Sequence, residues 1–180
     1  MAARQAHNLK AVRSNRTPAT NFNCMNIQAL KQFLFASNQA GYAGGEAKKW
    51  LKETDHSTTI PFTKGDWKSQ DNFFGGEPYG GRLVVFHKDK PVWIMVYYGW
   101  VEEGIDPNPI YEVLRGALMR MPKDYPFRGP KKFVLGKFTY QNNWQGEVER
   151  YSGQEKILLG KKVIYQASYF GGLIDQRRGI

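Results

Sequence analysis

GDWKSQDNFFGGEPYGGRLVVFHKDKPVWIMVYYGWV, residues 65–101, reads as strand, glycine turn, strand, tight turn, strand. Gly75, Gly76, Gly80 and Gly81 bracket Glu77, Pro78 and Tyr79, a composition suited to a bulged turn that side-chain-bearing residues would resist. Residues 82–87 and 92–101 make the next hairpin. The second of these strands is apolar on both alternating faces, with Val92, Ile94 and Val96 on one and Trp93, Met95 and Tyr97 on the other. A strand of that kind belongs in the middle of a covered sheet.

A weaker copy follows about seventy residues later. GKFTYQNNWQGE, residues 136–147, aligns with residues 65–77 through Gln70 and Gln141, Asn72 and Asn143, and Glu77 and Glu147. At a constant offset Gly81 then matches Gly153, Trp93 matches Tyr165, Tyr97 matches Tyr169 and Gly99 matches Gly171. The expectation is an α+β fold of two pseudo-repeats, each one helix plus four antiparallel strands, about residues 26–101 and 108–174. The strands would form a curved, barrel-like sheet covered by the helices, with a ligand site at the seam between repeats.

Both expected helices have visible signals. Asn26 has the character of a cap, and Ile27, Leu30, Phe33 and Leu34 follow at helical spacing until Gly41. In the second, Asn108 is expected to cap and Pro109 to occupy the first turn, before a stripe of Ile110, Val113, Leu114, Ala117 and Leu118. Residues 41–56 form a long connection, briefly helical over residues 47–52, suited to a lid or pocket rim. The remaining strands are expected over residues 57–63, 67–74, 133–141, 146–151, 155–159 and 162–170. Turns are read at Asn142-Asn143, Ser152-Gly153 and Gly160-Lys161.

Composition sets outer limits. The chain of 180 residues is 41% hydrophobic and 14% aromatic, hence globular, and carries a net charge of +10. Four basic residues, Arg4, Lys10, Arg13 and Arg16, lie in residues 1–24, so subtracting four leaves +6. These residues read as a flexible basic arm, with Met25 as an alternative start, ahead of one α+β domain over residues 25–180. One cysteine, Cys24, provides no disulfide framework. A cytoplasmic location and no membrane span are expected.

Chemical signatures are sparse. His7, His56 and His87 lack ligand-like spacing, so no metal is expected, and no phosphate loop or nucleophile elbow suggests a cofactor or covalent chemistry. Polar and aromatic groups on or near strands include Asp71, Glu77, Arg82, Tyr97, Tyr98, Trp100, Arg128, Tyr140 and Trp144. Such a set can line a small-molecule pocket or stack bases. Glu77 and Glu147 would be related by the repeat, either as a carboxylate pair or as separate turn residues. Arg128, rigidly held in PFRGP, is suited to an anion or a carboxylate.

The motifs DNFFGGEPYGGRLVVF, KPVWIMVYYG, PFRGP and YFGGLI together resemble an uncharacterised bacterial domain-of-unknown-function family, over about residues 25–174. Members occur alone or behind XRE-type helix-turn-helix domains. The resemblance carries over no activity, and implies a sensor or regulatory module by analogy.

The leading functional expectation is a non-enzymatic ligand-binding or regulatory module. Its site residues would be Asp71, Glu77, Arg82, Tyr98, Arg128 and Glu147. The alternative is a nucleic-acid-binding protein, including a small ribonuclease toxin, using the basic arm with Arg128, Lys131 and Lys132.

Overall fold

The computed structural model describes residues 25–44 and 50–175. Helix α1, Ile27–Ala40, starts where the sequence signals it, because the Asn26 side chain accepts the Ala29 amide at 3.0 Å. It stops at Gly41, whose amide returns to the Ser37 carbonyl at 2.8 Å. Helix α2, Pro107–Leu118, starts earlier than expected. Asp106 is its cap, accepting from the Asn108 amide at 3.0 Å, and Pro107 takes the first helical position. The stripe expected on this helix is buried throughout.

Nine strands follow one antiparallel plan: β1 Leu51–Lys52, β2 Thr58–Lys64, β3 Trp67–Gly75, β4 Tyr79–His87, β5 Lys90–Val101, β6 Lys132–Leu135, β7 Phe138–Glu147, β8 Arg150–Leu159 and β9 Lys162–Leu173. Their order in the sheet is β1-β2-β3-β4-β5-β9-β8-β7-β6. This corrects the expected fold. The chain is not built as two helix-plus-four-strand repeats, and the sheet does not close into a barrel. Instead β5 pairs directly with β9, fusing all strands into one open sheet whose edges are β1 and β6.

The repeated letters have a local cause. Tyr97 lies across from Gly81 and Tyr169 across from Gly153, and each tyrosine ring leans over the glycine opposite. Like environments on neighbouring ladders select like residues. β5 is central in the sheet as read, but the cover expected on both its faces is not there: Trp93, Met95, Tyr97 and Val101 are buried, whereas Ile94 and Val96 are partly exposed and Tyr98 is exposed.

Readings in both halves of the chain change. Residues 133–141 are two strands, because Gly136 adopts a positive φ and turns the chain between β6 and β7. Asn142-Asn143 and Ser152-Gly153 are not turns but lie within β7 and β8. Asn142 is fully buried, donating to the Gly129 carbonyl at 2.8 Å and accepting from the Tyr169 hydroxyl at 2.9 Å. Tertiary partners thus hold an asparagine in a strand that its local preference disfavours. Residues 51 and 52 are strand β1 rather than helix. The readings placed on residues 1–24 and 45–49, including the basic arm, lie outside the described residues.

One face of the sheet carries both helices and the connector after α2. Leu30, Phe33 and Leu34 of α1 pack with Val85, Trp93 and Met95, and Phe127 of the connector stacks on Tyr151 at 4.1 Å between ring centres. Ile110, Val113, Leu114, Ala117 and Leu118 of α2 pack with Val101, Tyr140, Ile157 and Tyr165. No described helix is long and apolar enough to cross a membrane.

Where β9 meets β5 and β8, backbones approach so closely that a Cβ on Gly171 would collide with the Ile94 carbonyl. Gly171→Ala is expected to lower stability by about 3 kcal/mol through overpacking, read from the urea midpoint, while the m-value stays unchanged.

Candidate functional site

Between the two apolar clusters the packing is interrupted by a cavity of about 370 Å³. Its walls come from α1, β2 to β5, α2 and the connector, and Tyr42 and Trp50 also line it. Strand alternation explains who faces it. Ile60, Asp71, Leu83 and Met95 are successive cross-strand partners on one face of β2 to β5, so all four project to the helix side. Phe73 and Tyr97 are one step along the same face.

Asp71 is the acidic group within this wall. Its carboxylate accepts the Tyr97 hydroxyl at 2.5 Å. The residue lies deep in the protein yet keeps part of its surface uncovered, and its register turns that surface into the cavity. Burial pushes its pKa above the usual carboxylate range, against the lowering effects of the Tyr97 hydrogen bond and of Arg128. Burial and the adjacent Asp71 together push the Tyr97 hydroxyl far up, so it serves as a donor and stays protonated.

Arg128 closes the inner end. Its Nη2 and Nε donate to the Glu155 carboxylate at 2.5 and 3.1 Å. Glu155 is fully buried and also accepts the Tyr140 hydroxyl at 2.7 Å and the Tyr165 hydroxyl at 2.9 Å. Tyr165 shares a 2.6 Å hydrogen bond with Tyr79, which lines the cavity. Burial alone would lower the arginine's pKa, but Glu155, with Tyr79 and Tyr165, more than reverses this and keeps it charged. The guanidinium therefore anchors the connector to the sheet.

The six expected site residues separate. Asp71 and Arg128 line the cavity together. Arg82 and Tyr98 lie on the other face of the sheet and are exposed, Tyr98 by 52%. Glu77 braces the rim, accepting the Val101 amide at 2.7 Å and the Tyr111 hydroxyl. Glu147 sits at the β7–β8 turn, 3.9 Å from Lys31, and shares no partner with Glu77. The cavity also departs from the expected seam, since it lies against β2 to β5 rather than at the β5–β9 junction. Of the cations considered for phosphate contacts, Arg128 is only 12% exposed and is ion-paired, whereas Lys131 and Lys132 are exposed.

Sequence reasoning missed Glu155, and its signal was alternation. Tyr151, Gly153, Glu155 and Ile157 occupy one face of β8, so a carboxylate at that position had to be buried and partnered. Trp50, Phe73, Tyr42 and Arg115 were also missed as lining residues; they come from separate elements with no common spacing. Among the described residues, no three of His, Cys, Asp or Glu gather to hold a metal ion.

An open antiparallel sheet, covered on one face by two helices and a connector around a polar-ended cavity, defines the class of this protein. A family described as a domain of unknown function, DUF5680, matches residues 71–174, and the chain belongs to it. No curated protein and no solved structure matches the chain.

Arg128→Met leaves the Glu155 carboxylate without its counter-ion, so a loss of about 3–5 kcal/mol is expected in urea unfolding, partly restored by adding Glu155→Gln. For Asp71 the folded pKa is raised, so between its unfolded and folded values the native state binds more protons than the unfolded one. Stability from this group falls as pH rises through the folded pKa. Asp71→Asn should therefore be more stable than the parent at pH 7, and the difference should shrink as pH approaches 4, measured as unfolding free energy against pH.

Proposed function

We propose that the chain is a small-molecule-binding module whose site is the cavity between the sheet and its two helices. The observation that carries this reading is the cavity itself. Protein interiors are ordinarily packed with few voids larger than a water molecule, and one of about 370 Å³ lies within the range of small-ligand sites. Its lining fits that use, because apolar side chains such as Leu34, Ile60, Leu83 and Met95 supply area while Asp71 and Arg128 give orientation.

The reading requires binding and no covalent step. A ligand seated there would touch α1, α2 and the connector at once, so occupancy would stabilise their mutual arrangement. Such coupling suits a regulatory module, and the resemblance to bacterial domains carried behind XRE-type helix-turn-helix units supports a sensor role by analogy.

Native mass spectrometry of the full chain purified from cells tests the proposal against the denatured mass. A discrete added mass is expected, lost on denaturation and absent from Leu83→Trp, which fills the cavity. A bare native mass, joined by no rise in melting temperature across a panel of small metabolites, would overturn it.

A further inference from the structure

Resting on that reading, we infer that the ligand is a protonated amine on an apolar, ring-sized body, held with its ammonium against Asp71 and its body among the aromatic walls. The acceptor capacity left on Asp71 favours this class. Arg128 spends two donors on Glu155 and contributes no net charge with it. Of the other cations that line it, Lys52 is exposed and donates to Thr58 at 2.8 Å, and Arg115, on α2, stands beside Tyr42. Asp71, by contrast, makes no salt bridge among the described residues, and one hydroxyl is the hydrogen-bond partner found for it there. A carboxylate can accept at about four lone-pair positions, so Asp71 retains acceptor capacity toward the cavity.

The surrounding rings point the same way. Trp50 meets Phe73 edge-on at 5.8 Å and Tyr42 in a stack at 6.1 Å, and Tyr79 lies 6.1 Å from both Tyr97 and Tyr111. These six rings come from six separate segments of the chain and all line the cavity. Aromatic faces attract cations and also supply apolar contact, the combination used where ammonium groups are bound. An anionic ligand would meet Asp71 with like charge, and a neutral one would leave its free acceptor positions without an ammonium donor.

Three ring compounds of similar size separate the possibilities: 2-phenylethylammonium, 2-phenylethanol and 3-phenylpropionate. Isothermal titration of each into the full chain, and into Asp71→Asn, is the experiment. The ammonium compound is expected to bind at least tenfold more tightly than either of the others, and the Asn variant to lose that preference while retaining its binding of the alcohol. Equal or tighter binding of the alcohol or the carboxylate by the parent chain would overturn the amine assignment while leaving a functional cavity in place. Retention of the ammonium preference in Asp71→Asn would overturn Asp71 as the counter-ion. Binding of none of the three would also overturn the amine assignment, whereas the cavity as a binding site stands or falls on the native mass.

Discussion

The buried ion pair between Arg128 and Glu155 is the constraint on which the rest of the site depends. Arg128 comes from an irregular connector, and Glu155 from the middle of a strand whose other inward positions are apolar or glycine. Two charges removed from water at this depth are tolerated only because each is satisfied by several partners. Tyr140 and Tyr165 complete the carboxylate, Tyr140 also accepts the Gly129 amide at 3.2 Å, and Asn142 holds the Gly129 carbonyl. The connector is thereby fixed at successive residues, and it forms a wall rather than a loose loop.

That fixed wall explains how a cavity persists beside well-packed clusters. A purely apolar interior would collapse around an empty volume of this size or lose stability in proportion to it. Here the inner end is set by hydrogen-bond geometry, while the floor is set by the pleat of β2 to β5. Two helices cap the opening without filling it, because their apolar stripes are already committed to opposite clusters: α1 to Val85, Trp93 and Met95, and α2 to Val101, Tyr140 and Ile157. The space between them is lined by Asp71, the rings and the adjoining edges of both stripes, Leu34 on α1 and Leu114 and Leu118 on α2.

The outer face of the sheet follows different rules. Tyr98 and Phe170 are exposed by 52% and 59%, and Val96 lies between them as the cross-strand partner of Phe170. Aromatic residues that look alike in sequence therefore serve opposite environments, according to odd or even position along one strand. Tyr97 and Tyr98 are the sharpest instance, since one donates to Asp71 and its neighbour faces out.

By itself the sequence determined what local chemistry can write. The Asn26 cap and Gly41 stop are legible because side chain and backbone meet within a few residues, and the central place of β5 is legible because its continuous apolar run marks a strand away from the sheet edge. Asp71 and Arg128 stood out as charged residues among strand and proline signals, and both reach the cavity. Tertiary structure alone decided that β5 joins β9 in one open sheet, since antiparallel pairing between strands about seventy residues apart leaves no local trace. It also decided that Asn142 lies in a strand, that Arg128 faces Glu155, and that Arg82, Tyr98 and Glu147 stand away from the cavity. Each of these depends on which distant partner supplies a hydrogen bond or a counter-charge, and such partners are chosen by the folded chain rather than by the residues beside them.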